Sequence, residues 1–237
     1  SDFVNVPMQA LTSKGYANDL RKTIQMDKAT ASEPAQIADG YESLETTHYS
    51  VVDKNGMAVS VTYTLEAGYG LGAVVTGAGF LLNNEMGDFN GKPGLTDSTG
   101  LIGTAANVAR PGKRMLSSMT PAIIAKDGKL VAVIGSPGGR TIINTVLEVA
   151  LNIMAFDMPI QAAVNAPRLH HQWLPNRITI ERDGVPASTV SALEKMGHKV
   201  QFGGQQGTAH SVMIDPRTKH RIGAPDPRDR DAGAVGY

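Results

Sequence analysis

A handful of hydroxyl and glycine positions in this chain could carry chemistry. Thr46 stands where a loose run of Ala, Ser, Glu and Pro (Ala29 to Glu42) gives way to alternating strand texture. A threonine hydroxyl attacks a carbonyl only when a base takes its proton. Cutting the chain before Thr46 would supply that base on the same residue, because an α-amine titrates at about 7.7–8.0 and exchanges a proton near neutrality. A Thr-Thr pair entering a strand is also ordinary β-propensity, so the residue alone leaves both readings open. The second position is Gly138-Gly139, after a predicted strand and before a predicted helix. Two successive glycines let backbone N–H groups converge on a negative oxygen, and the helix end adds a favourable dipole. A phosphate loop is the competing reading, but it wants G-x-x-x-x-G-K-[ST], and Arg140-Thr141 stands where Lys-Ser would be. His170 and His171 are adjacent on an extended segment and point to opposite faces, so they cannot share one metal ion and read as structural. Trp173 reads as a packing anchor, and Asp226-Pro227-Arg228 as an ion-paired turn pinning the C-terminal segment.

The elements that must position these residues follow from period and punctuation. Ser13 caps a helix over Lys14 to Met26, with Leu11, Ala17, Leu20 and Ile24 on one face. Asp27 to Leu44 lacks periodicity and reads as an exposed linker. Thr47 to Asp53 and Met57 to Leu65 form a hairpin around Asp53-Lys54-Asn55-Gly56, placing Thr64 near the Thr46 end. Ala78 to Leu82 reads as a short strand after an irregular glycine-rich stretch, and Asn83 to Phe89 opens a polar loop. Ser117 to Lys126 and Lys129 to Gly135 form a second hairpin around Asp127-Gly128. A helix over Arg140 to Phe156 shows apolar spacing at Ile143, Val146, Leu147, Ala150, Leu151 and Met154. Short helices follow at Pro159 to Asn165 and Pro186 to Met196, the latter stopped by Gly197. Strands are predicted at Arg177 to Glu181, His198 to Phe202, His210 to Ile214 and His220 to Ala224. Hairpins early and helices later give an α+β fold with mostly antiparallel sheets.

Composition narrows the function class. At 237 residues the chain can bury one substantial core. Its 22 Lys plus Arg balance 22 Asp plus Glu, so no net field recruits nucleic acid or an anionic membrane. The absence of cysteine excludes disulfides, thiolate catalysis and zinc–thiolate sites, and suits an oxidising compartment. No apolar run reaches the ~18 residues of a membrane span, and no signal architecture opens the sequence.

Longer strings carry a resemblance. T-T-H-Y-S-V-V-D at Thr46 to Asp53 is followed in order by Y-T-L at Tyr63 to Leu65 and L-L-N-N-E-M-G-D-F at Leu81 to Phe89. K-R-M-L-S-S-M at Lys113 to Met119, G-S-P-G-G at Gly135 to Gly139, N-A-P-R-L-H-H-Q-W-L-P at Asn165 to Pro175 and D-P-R at Asp226 to Arg228 complete the set. Together they resemble the small subunit of the gamma-glutamyltransferases, N-terminal-nucleophile hydrolases made as one self-cleaving precursor. Residues 1–45 resemble the tail of the large subunit with its processing linker, and residues 46–237 the small, nucleophile-bearing subunit.

The resemblance implies an αββα sandwich, here its small-subunit half, and a reaction without cofactor or metal. Thr46 would be the nucleophile, and Thr64 the residue that orients it, although Thr64 is equally an ordinary β-branched strand residue. Gly138 and Gly139 would form the oxyanion hole. Ser117 and Ser118 would bind the α-carboxylate of a γ-glutamyl donor, and Glu85 and Asp88 its α-ammonium. Taken alone, such serines and acids are common solvated loop residues. Glu66 stands where family members often carry asparagine, adding a carboxylate to the ammonium site. Thr99 stands where several members carry an aromatic lid. The implied partners are a γ-glutamyl donor such as glutathione, water or an amine as acceptor, and the large-subunit portion, which brings an arginine to the α-carboxylate. A periplasmic or secreted location comes with the resemblance. Two alternatives remain: an amidase of the same superfamily acting on a β-lactam side chain or poly-γ-glutamate, and an inactive, uncleaved precursor fragment.

Overall fold

The computed structural model describes residues 5–32, 46–90, 105–182 and 184–236. Two helices come first, α1 (Met8–Leu11) and α2 (Lys14–Thr23). The Ser13 hydroxyl accepts the Tyr16 N–H at 3.1 Å, so the expected cap is made. The helix ends at Thr23, short of Met26, and the apolar residues Leu11, Leu20 and Ile24 are exposed. Of the linker, only the part up to residue 32 is described, and there Ala29 donates its N–H to the carbonyl of Met196.

Strands β1 (Thr47–Val52) and β2 (Ala58–Tyr63) pair antiparallel, with Thr47 opposite Tyr63 and Val52 opposite Ala58. Their turn closes because Asp53 Oδ1 accepts the N–H groups of Asn55 and Met57, both at 2.8 Å, while Gly56 takes φ 88°. Arg221 staples this turn from outside, donating to the carbonyls of Asp53 and Lys54 at 2.9 and 2.7 Å. Alternation gives the hairpin an exposed face of Tyr49, Val51, Val59 and Tyr63, and an inner face of His48, Ser50, Ser60 and Thr62. The predicted strand at Ala78 to Leu82 is reduced to an isolated bridge between Val74 and Leu81. Gly77 and Gly79, with φ 81° and 75°, turn the chain too sharply for a ladder.

The second hairpin joins β3 (Ala122–Lys126) to β4 (Lys129–Ile134) through Asp127 and Gly128 at φ 52° and 72°. Ser117 to Pro121 stays outside the strand, and a register shift falls between Ile124 and Ala125. Next come α3 (Ile142–Met154), α4 (Ile160–Asn165), β5 (Leu169–His170), β6 (Ile178–Glu181), α5 (Ala187–Lys195), β7 (Val200–Gly203), β8 (Ser211–Ile214) and β9 (Arg221–Ala224). A four-stranded antiparallel sheet has the order β3-β4-β8-β9, and a three-stranded sheet the order β5-β6-β7. Among the named strands only β6 and β7 pair in parallel. The mixed, mostly antiparallel α+β expectation holds.

The core forms where α3 and α4 lie on the four-stranded sheet. Ile142, Val146, Val149 and Ile153 meet Ile160, Ala163 and Val164, with Ala132, Ile134, Ala209 and Ala224 beneath. On the other face of β4 Val133 is also fully buried, and the β1–β2 hairpin packs against β4 and β8. Helices, sheet and hairpin thus stack in layers. The buried stripe of α3 differs from the expected one: of the apolar positions singled out, Ile143, Leu147, Leu151 and Met154 face solvent. Trp173 is likewise 40% exposed with φ 74°, so it is not the buried anchor expected of a lone tryptophan.

Candidate functional site

Thr46 is half-buried at the mouth of β1, and continuing the hairpin register by one residue sets it opposite Thr64. Thr64 accepts the Glu66 N–H on its hydroxyl at 2.8 Å, so its side chain shapes the bend after β2. Two residues into β1, His48 is 4% exposed. Its Nδ1 lies 2.9 Å from Thr62 Oγ1 and its Nε2 3.1 Å from Ser50 Oγ. The ring fits because Gly135 has no side chain, since a methyl group there would overlap it. Ser60 donates to the carbonyl of Ile134 and Ser50 to that of His210, both at 3.0 Å. The strand that begins beside Thr46 is thereby seated on the root of the G-S-P-G-G turn.

That turn needs both of its glycines. Gly138 has φ 132° and Gly139 φ 55°, conformations an L side chain rarely adopts. A Cβ on Gly138 would come within 2.6 Å of Thr141 Oγ1 and 3.1 Å of Gly207 Cα. Gly139 opens a 3₁₀ turn that runs into α3, so the positive end of a helix dipole lies here.

A segment at 206–209 backs the turn. Thr208 donates its N–H to Ser136 Oγ at 2.9 Å. This segment is held by a buried charge network whose centre the sequence did not reveal. Arg168, 2% exposed, donates through Nη1 to the carbonyls of Gln206 (2.7 Å) and Gly207 (3.2 Å), and through Nη2 to Asp226 Oδ2 (2.6 Å). Asp226 Oδ2 also accepts the Ala209 N–H at 2.6 Å. Arg228 forks onto Glu181 at 2.7 and 2.6 Å and reaches Asp226 Oδ1 at 3.1 Å. The D-P-R turn is therefore ion-paired as expected, with Arg168 and Glu181 as its further members.

Glu66 is 9% exposed at φ 73°, its carboxylate packed where Gly87 lacks a side chain. Asn84 knits the two stretches together, donating its N–H to the carbonyl of Leu65 and accepting the Ala67 N–H on Oδ1. Glu85 and Asp88 share a 3₁₀ turn beside it. Burial, reinforced by the negative charges of Asp88 and Glu66, pushes the Glu85 carboxyl up to about 7. Burial also raises Asp88. Buried Asn107 ties this turn to the serine segment: Nδ2 donates to the Asp88 carbonyl at 2.7 Å, and Oδ1 accepts the Leu116 N–H at 2.9 Å. Ser117 next door is exposed and accepts the Met119 N–H, while Ser118 is half-buried. Thus Glu66, Glu85 and Asp88 come together, with Ser117 and Ser118 tethered to them. Glu45 and Thr99 lie outside the described residues. His170 Nε2 meets Gln172 Oε1 at 2.6 Å and His171 Nδ1 accepts the Trp173 N–H at 3.2 Å, local bonds that fit a structural role.

A family described as gamma-glutamyltranspeptidase matches residues 1–236. The Escherichia coli (strain K12) protein named glutathione hydrolase proenzyme is 47% identical over 239 residues, covering 100% of this chain and 41% of that protein. The chain spans 41–43% of the length of its first curated relatives. A solved Pseudomonas nitroreducens gamma-glutamyltranspeptidase, complexed with L-DON, superposes with TM-score 0.72 at 42% identity, covering 81% of this chain and 100% of that one. A cephalosporin acylase from Bacillus halodurans gives TM-score 0.80 at 25% identity, covering 100% of this chain and 40% of that one.

Proposed function

Since the chain belongs to the gamma-glutamyltranspeptidase family, we propose that it is the nucleophile-bearing part of a precursor that cleaves itself before Thr46 and then hydrolyses or transfers γ-glutamyl groups. The observation that carries this reading is the Gly138-Gly139 turn at the head of α3, with the strand that follows Thr46 seated on its root. Thr46 Oγ attacks the γ-carbonyl carbon while its freed α-amine takes the hydroxyl proton. The N–H groups of Gly138 and Gly139 receive the oxyanion, an interaction worth about 2.7–4 kcal/mol of barrier per donor. The amine returns the proton to the leaving nitrogen. Water or an amine then attacks the acyl ester and regenerates Thr46. Ser117 and Ser118 hold the donor's α-carboxylate, and Glu85, Asp88 and Glu66 its α-ammonium. Thr64 orients the nucleophile.

In this reading residues 1–45 belong to the tail of the large subunit and residues 46–237 form the small subunit. Residues 46–237 are 192 of 237, or 81%, the share of this chain that the Pseudomonas nitroreducens chain covers. The partner is the remainder of the precursor, and export to the periplasm or beyond goes with the same reading. The likeness to a cephalosporin acylase supports a second substrate class, other acyl amides. Comparing γ-glutamyl with glutaryl anilide separates the two, since only the first has an α-ammonium for the acid cluster.

The test is intact mass and turnover of the chain expressed with the segment that precedes it in the proenzymes. The wild type is expected to show a new N-terminus at Thr46 and to hydrolyse γ-glutamyl-p-nitroanilide. T46A should stay whole and lose at least about 10³-fold in turnover. Cleavage and activity that survive in T46A would overturn the assignment.

A further inference from the structure

The mechanism above leaves His48 without a role, yet it is a titratable side chain buried two positions from the proposed nucleophile. Its surroundings fix its chemical form. The carbonyl of His210 can only accept, so the Ser50 hydroxyl, 3.0 Å away, spends its proton there. Ser50 Oγ must then accept from His48, which puts a hydrogen on Nε2. Nδ1 is left as the acceptor for the Thr62 hydroxyl at 2.9 Å. The result is one directional chain: Thr62 O–H to His48 Nδ1, His48 Nε2–H to Ser50 Oγ, Ser50 O–H to the carbonyl of His210. It runs from β2 through β1 to the residue that begins the approach to β8. A second proton on the imidazole would reverse the bond to Thr62. Burial, then the charge of the neighbouring His210, lowers the His48 pKa to about 4 and keeps the ring neutral. His210 itself has Asp229 Oδ2 at 3.6 Å from its Nε2.

The same ring touches the other half of the site. It occupies the space a side chain on Gly135 would take, and Gly135 joins β4 to Ser136-Pro137-Gly138-Gly139. We propose, building on the reading above, that His48 is a positioning residue: a neutral imidazole wedge that sets the strand carrying Thr46 at a fixed offset from the oxyanion turn. It touches neither donor nor reacting atoms. It acts by holding two elements that carry the reacting groups, and an offset error of about 1 Å costs on the order of 10²-fold in rate.

The experiment uses the chain expressed together with the segment that precedes it in the proenzymes, and wild type, H48A, T62V and T62S as variants. H48A is expected to lower kcat on γ-glutamyl-p-nitroanilide by about 10- to 100-fold while KM stays within about threefold, and to slow cleavage before Thr46. T62V removes the hydroxyl donor at nearly constant shape and should lose several-fold in kcat, whereas T62S, which restores the donor, should recover it. ¹⁵N spectra of the imidazole should show the Nε2–H form, neutral down to about pH 5. Unchanged kcat in H48A, a loss confined to KM, or an Nδ1–H tautomer would each overturn the proposal. If H48A does not fold, equal kcat in T62V and T62S would overturn it. A wild type without cleavage or turnover would instead sink the functional reading itself.

Discussion

At the level of single residues, Glu85 should make the proposed ammonium site pH-sensitive. Its carboxyl titrates at about 7, lifted by burial first and then by Asp88 and Glu66, against 4.5 in the unfolded chain. The folded protein therefore holds an extra proton between those values, and this residue's contribution to stability falls as pH rises from about 4.5 to about 7. Only the ionised form attracts an ammonium. KM for a γ-glutamyl donor is expected to fall as pH is raised from about 6 to about 8. E85Q should flatten that limb, raise KM at high pH, and melt higher than wild type at about pH 8, because one of three crowded carboxylates is gone. Steady-state kinetics and thermal melts over the pH range check this. The paired glycines give a second prediction. G138A, at φ 132° with Thr141 Oγ1 and Gly207 in the way, should lose about 1–3 kcal/mol in urea unfolding. G139A, at φ 55° in the left-handed region, should lose less, about 1–2 kcal/mol. The pattern G-S-P-G-G announced this turn, because glycines between a strand and a helix have few other uses. Arg168 and Asn107 had no comparable signal. Each matters through backbone carbonyls and N–H groups far away in sequence, contacts that carry no local period.

At the level of elements, the buried charge network decides how firmly the segment behind the Gly138-Gly139 turn is held. Burial alone would lift Asp226, but the Arg168 guanidinium and the N–H groups of Arg228 and Ala209 outweigh it and hold the carboxyl below its ordinary 3.8. The stability this confers is present above that value and is lost as pH falls below about 3.8. R168M keeps the volume but leaves Asp226 charged and buried, and should cost about 3–5 kcal/mol by urea unfolding. Adding D226N should recover part of that loss, because it removes a buried carboxylate that has lost Arg168 and keeps only the longer pairing with Arg228. Several turns and helix ends were legible: Asp53 to Gly56, Asp127-Gly128, Pro159 and Gly197 act locally through φ and short-range bonds. Helix α3 shows where such reading stops. Both of its faces are apolar, Ile142, Val146, Val149 and Ile153 against the sheet and Ile143, Leu147, Leu151 and Met154 away from it. Periodicity finds the helix, but only packing picks the buried face. The parallel pairing of β6 with β7 was equally out of reach, since it depends on how α5 returns the chain.

On the scale of the whole molecule, the open apolar surfaces among the described residues include the outer stripe of α3 and the hairpin face of Tyr49, Val51, Val59 and Tyr63. Surfaces of this kind on a chain that spans 41% of a relative's length are suited to burial under the remainder of a precursor. The isolated chain is expected to self-associate in sedimentation and to turn over γ-glutamyl-p-nitroanilide poorly. Co-expression with the preceding segment should restore a defined species and activity. L147E combined with Y49E should make the lone chain monodisperse while weakening that association. The hairpin bears on what the proposed cleavage before Thr46 would do. Its far tip is gripped by Arg221, and its mid-length by Ser50 and Ser60, all from groups downstream of position 46. It is mounted like a cantilever, fixed along its beam with the loaded end at the threonine. The proposed cut before Thr46 would break none of these bonds, so the strand would keep its seat while Thr46 gained a terminus.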